Sequence, residues 1–150
     1  MGFQYVLPGC LAQGSAPQAN VDLPFDVLVL CAMEFQPPSF NYPSVKVLHV
    51  PLDDSGPPTR AEVHLALLAA HRVYSYLRQG RRVLTTCAMG RNRSGLVNGL
   101  ALVEYGYSSV HAVELIRQAR RNALTNVHFV EVIYARAAQL GRRDSVAAIS

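Results

Sequence analysis

The chain alternates short, continuous apolar runs with longer stretches in which apolar residues recur every three or four positions. The runs at residues 26–31 and 45–50 show no polar alternation, the pattern of strands buried on both faces. A third run fills residues 83–86, and residues 4–7, ahead of a turn at Pro8-Gly9, predict an edge strand. Thr59 and Glu62 form a capping box, in which the hydroxyl and the carboxylate satisfy backbone donors at a helix start. Val63, Leu67, Ala70, Val73, Tyr74 and Leu77 follow on one face, and Gly80 ends the helix. Further helices are predicted at 94–105, stopped by Gly106, and over roughly 109–121 and 127–140, with the last ten residues as a frayed tail. Three prolines make residues 35–43 a loop, and residues 52–58 make another.

Strands alternating with helices predict an α/β fold over residues 1–150 as one domain, with a mostly parallel central sheet flanked by helices and covered on both faces. In such sheets the site lies at the carboxyl ends of the strands. Three of those ends carry chemistry: Cys31, the pair Asp53/Asp54, and Cys87.

Composition narrows the classes. With 150 residues, half of them apolar and 16% charged, the chain has enough material for one core. No apolar run approaches the eighteen or so residues of a membrane span, and the N-terminus lacks a secretory pattern, so a cytoplasmic, reducing setting is expected. Three cysteines without a CxxC pair and five histidines without an HExxH pair imply neither a disulfide framework nor a metal, and no organic cofactor is implied. The net charge of +4 suits anionic partners but is not gathered into a block that would indicate nucleic acid.

Residues 83–95 concentrate the chemistry. An apolar strand leads into Cys87, five residues follow, and Arg93-Ser94 opens a helix. Backbone N–H groups of Ala88, Met89, Gly90, Arg91, Asn92 and Arg93 can surround a phosphoryl group at the helix N-terminus, with Gly90 easing the tight backbone. Arg93 adds a planar fork for two phosphate oxygens. The same positive field favours the thiolate of Cys87, the reactive form of a cysteine. Attack by that thiolate would give a phosphocysteine. A carboxylic acid, Asp54 or its neighbour Asp53, can protonate the leaving oxygen and then activate the hydrolytic water. Ser94 can hydrogen-bond the departing sulfur.

These segments resemble the cysteine-dependent protein tyrosine phosphatase superfamily, most closely its small atypical dual-specificity branch. Residues 87–95 are similar to the signature loop, and residues 50–55 to the segment that carries the general acid, with Asp54 in the acid's place. Residues 7–16 are similar to the family's opening strand; Arg120, Leu124, Asn126 and Phe129 fall in the region of its closing helices. The resemblance implies a dual-specificity-like fold and a phosphomonoester hydrolase acting on phosphotyrosine, phosphoserine or phosphothreonine in proteins. Gly90-x-Asn92-Arg93 also looks like the loop of RNA 5′-phosphatases, and Arg91 like the basic loop residue of phosphoinositide phosphatases. A catalytically weak module that only binds phosphorylated ligands is the alternative of another class. The family's usual histidine before the nucleophile is replaced by Thr86, which implies a slowed or re-tuned enzyme. Some relatives keep a second cysteine at the place of Cys31, where it forms a reversible disulfide with the nucleophile; a buried apolar cysteine is the other reading.

Overall fold

The computed structural model describes residues 2–142. Five strands, β1 (Phe3–Leu7), β2 (Leu11–Ser15), β3 (Val27–Ala32), β4 (Lys46–Leu52) and β5 (Val83–Cys87), form one sheet in the order β1-β2-β5-β3-β4. Only the β1–β2 hairpin is antiparallel; β2, β5, β3 and β4 run parallel. The last strand in sequence is therefore the middle strand in space. Its carboxyl end, Cys87, lies between the ends of β2 and β3, where helix N-termini and loops meet.

Four helices follow the sequence pattern: α1 (Arg60–Arg78), α2 (Arg93–Tyr105), α3 (Ser109–Ala119) and α4 (Val127–Gln139). Thr59 and Glu62 form the expected capping box on α1. The buried face of α1 is turned toward small residues, with Ala66, Ala69 and Ala70 joining Val73 and Leu77, so the helix can sit close to its neighbour α2. Helix α2 is buried from Arg93 to Val103, which gives the loop at its N-terminus a rigid base.

The helices cover one face of the sheet, and irregular segments cover the other. Alternate strand residues Val27, Val29, Cys31, Val83 and Cys87 join side chains from all four helices in one large core cluster. The opposite face, with Ala12, Leu28, Leu30 and Leu84, packs against Phe25 and Tyr42, which come from irregular segments. For β3 and β5 the apolar runs predicted correctly that both faces are buried, but a loop aromatic buries a strand as well as a helix does.

Two boundaries also differ. The strand expected to stop before Pro51 continues through it to Leu52, because β4 is an edge strand and a missing N–H there breaks no ladder. For the same reason β4 is not buried on both faces: Lys46, His49 and Pro51 are exposed. Helix α3 ends at Ala119, before the Arg120-Arg121 that the pattern included. The expected frayed tail falls mostly outside the described residues.

Candidate active site

The loop between β5 and α2 is shaped from outside. Arg120 donates from Nε to the Gly90 carbonyl at 3.1 Å and from Nη2 to the Met89 carbonyl at 2.9 Å. Buried Gln13, on β2, donates to the Gly90 carbonyl at 3.0 Å and the Arg91 carbonyl at 3.4 Å, while its own oxygen accepts from Asn98 at 3.0 Å. The Leu124 N–H also reaches the Arg91 carbonyl. In a trans peptide the C=O and the next N–H point in opposite directions. Holding the carbonyls of Met89, Gly90 and Arg91 outward therefore turns the N–H groups of Gly90, Arg91 and Asn92 inward. Gly90 makes the turn at φ 66°, and a Cβ there would lie 2.4 Å from the Gly14 carbonyl carbon, so the loop rests directly on β2.

Within this ring sit the candidate nucleophile and clamp. Cys87 is buried at 3% exposure, and its Sγ lies 3.3 Å from Ser94 Oγ. Arg93 is gripped by Glu34, Nη1 to Oε1 at 2.5 Å and Nη2 to Oε2 at 2.9 Å, and Nη1 also donates to the Leu52 carbonyl at 3.1 Å. The guanidinium beside it pulls Glu34 down to about 2 from its ordinary 4.5. Arg93 Nε is buried without an acceptor among the described residues, which leaves a fixed donor for an anion. The Thr86 hydroxyl donates to the Val29 carbonyl at 2.9 Å and is satisfied within the sheet.

The two aspartates separate. Asp53 turns to its own loop, bonding the Ser55 hydroxyl and backbone N–H, and its backbone N–H donates to Glu62. Asp54 faces the loop between β5 and α2: Oδ2 accepts from Asn92 Nδ2 at 3.1 Å and Oδ1 from Asn126 Nδ2 at 3.1 Å. Its charge is felt by Arg93. Cys31 sits one residue beyond Leu30, the parallel-strand partner of Thr86, and so lies next to Cys87 in the sheet. Burial first, and then the negative charge of Cys87, push the Cys31 thiol well above its ordinary value.

The structure thus brings together Cys87, Arg93, Ser94, Asp54 and Cys31, with Ala88 to Asn92 forming the ring. Sequence reasoning missed four supports: Gln13, Glu34, Arg120 and Asn126. The one local signal was for Gln13, a polar residue inside an apolar strand whose amide needs partners. Beside the ring, Ser15, Met89, Arg91, Arg120 and Arg121 line an open depression. Among the described residues these three arginines have no carboxylate within ion-pair distance.

Comparison with known proteins agrees with this class of site. No family model matches the chain. It is 30% identical over 102 residues to mouse protein tyrosine phosphatase type IVA 3, a match covering 67% of this chain and 57% of that protein. Among solved structures, a mutant form of Tk-PTP superposes with a TM-score of 0.78 at 25% identity, covering 93% of this chain and 97% of the other. Human DUSP28 superposes at 0.76 with 24% identity, covering 94% and 96%. The chain has the fold of the small dual-specificity-like phosphatases, and these similarities support a phosphatase of the cysteine-dependent protein tyrosine phosphatase kind. It spans little more than half the length of the mouse relative.

Proposed function

We propose that the chain is a phosphatase that hydrolyses phosphomonoesters through a phosphocysteine on Cys87. The observation that carries this reading is the inward turn of the loop N–H groups next to a buried thiol, with Arg93 Nε buried and unpartnered among the described residues. The Cys87 thiolate attacks phosphorus, the S–P bond forms, and the ester P–O bond breaks. The leaving oxygen takes its proton from Asp54. Water then attacks the phosphocysteine, its proton passes to Asp54, and the S–P bond breaks to regenerate the thiolate. Ser94, 3.3 Å from the sulfur, stabilises it as it departs. Proton transfer by a placed carboxyl contributes about 10²–10⁴ in rate.

The substrate we assign is a phosphorylated protein, at tyrosine and at serine or threonine. Arg91 and Arg121 beside the open depression, with no carboxylate within ion-pair distance among the described residues, support an anionic chain rather than a lone small ester. The test is a panel of phosphopeptides, phosphoinositides and 5′-triphosphorylated RNA against wild type and Cys87→Ser. Turnover of phosphopeptides, lost in Cys87→Ser, is expected. Turnover of none, together with retention of a phosphorylated ligand by both proteins, would make the chain a binding module. We place Cys31 as a redox partner of Cys87, and peptide mapping after peroxide should find the Cys31–Cys87 link. A peroxide-inactivated protein without that link removes this role.

A further inference from the structure

Asn92 occupies the N-cap of α2, where an asparagine normally accepts from a backbone N–H of the first helical turn. It makes no such bond. Its Oδ1 instead accepts the backbone N–H of Asn126 at 2.9 Å, and its Nδ2 faces Asp54. Asn126, in turn, caps α4: its Oδ1 accepts the His128 N–H at 3.0 Å, and its Nδ2 reaches Asp54 Oδ1 and, at 3.2 Å, the Gly56 carbonyl. A backbone donor fixes the acceptor end of each amide, so each NH₂ end must face the carboxyl. Flipping either amide would set an oxygen against Asp54 and two N–H groups against each other.

We infer that Asn92 and Asn126 are positioning residues for the acid, holding Asp54 in register with the phosphate loop through both halves of the reaction. This inference rests on the phosphatase reading of the site. Each Asp54 oxygen has one lone pair facing an amide, which leaves the others for the travelling proton. A neutral NH₂ can donate to a carboxylate and to a carboxylic acid alike, so the hold survives protonation, as an ion pair would not. Diverting Asn92 from its cap has a second effect. The first-turn N–H groups of α2 receive no side-chain oxygen from it and stay available to the phosphoryl group.

The test uses Asn92→Ala and Asn126→Ser, the latter chosen because serine keeps an N-cap oxygen for the His128 N–H while removing the donor to Asp54. Turnover is compared on a phosphoserine peptide, whose alkoxide leaving group needs a proton, and on p-nitrophenyl phosphate, which needs it far less. Each variant should lose about 10–100-fold in kcat/KM on the peptide and clearly less on the aryl ester. In an Asp54→Ala background neither change should cost anything further on the peptide. Equal losses on both substrates, or losses additive with Asp54→Ala, would overturn the assignment. If wild type turns over neither substrate, the phosphatase reading itself fails. The hold is then still tested by NMR: Asp54→Ala should shift the side-chain NH₂ resonances of both asparagines, and unchanged resonances would exclude it.

Discussion

Arg93 and Asp54 stand at the same candidate site and are held in opposite ways. Arg93 is fixed by a carboxylate, with both Nη atoms on Glu34, so charge is matched by charge. Asp54 is fixed by two amides that carry no charge. On the proposed mechanism the difference follows from what each would do. A clamp that stays cationic throughout loses nothing by a permanent anionic partner, and gains a fixed plane for its fork. A group that must release and recover a proton needs partners that tolerate both of its states.

The largest effect should come from breaking the charged side directly. Arg93→Lys keeps the charge but loses the planar fork, both for Glu34 and for substrate. We expect kcat/KM on p-nitrophenyl phosphate to fall by about 10²–10³, the scale for losing a fixed donor to transition-state charge. Gly90→Ala strikes the shared floor beneath both groups. Its φ of 66° and the 2.4 Å approach to Gly14 cannot accommodate a Cβ without movement of the loop. Chemical denaturation should register a loss of about 1–3 kcal/mol, accompanied by lost turnover.

Glu34→Gln sharpens the contrast, since it leaves hydrogen bonding but removes the charge. A moderate fall in phosphate affinity is expected, read as a weaker inhibition constant for inorganic phosphate. Stability should depend on pH with a definite sign. Because folding depresses Glu34 from 4.5 to about 2, its contribution is present above pH 4.5 and is lost as pH falls through about 2. The wild-type advantage in acid denaturation should therefore shrink across that window and vanish below it. An advantage that grew toward low pH would contradict the pairing. The smallest effect is expected from Thr86→Val, which leaves the Val29 carbonyl without its side-chain donor and should cost about 1 kcal/mol in a denaturation midpoint.

What could be read from the sequence was whatever depends on local order. Cys87, Arg93 and Ser94 are tied by one strand-to-helix turn, and Asp54 follows a strand that had to lie in the same parallel sheet. The supports are tied by nothing local. Glu34 reaches Arg93 across 59 residues, Gln13 reaches Gly90 across 77 and Asn126 reaches Asp54 across 72, and nothing in the sequence ties any of them to its partner. Asn92 was read as a loop residue contributing backbone and as part of the Gly90-x-Asn92-Arg93 resemblance, not as a partner of Asp54, because its side chain departs from the capping bond its position favours. The helices on a single face were hidden for a related reason. An apolar strand run requires cover without specifying it, and Phe25 and Tyr42 supply that cover from segments with no periodicity.

The central claim, a covalent phosphoryl transfer to Cys87, is tested most directly by acid-quenching the protein during turnover of a phosphopeptide and mapping the label by mass spectrometry. One added phosphoryl group on Cys87 is predicted, absent from Cys87→Ser. Turnover that proceeds with no adduct on Cys87, or that continues in Cys87→Ser, would contradict it.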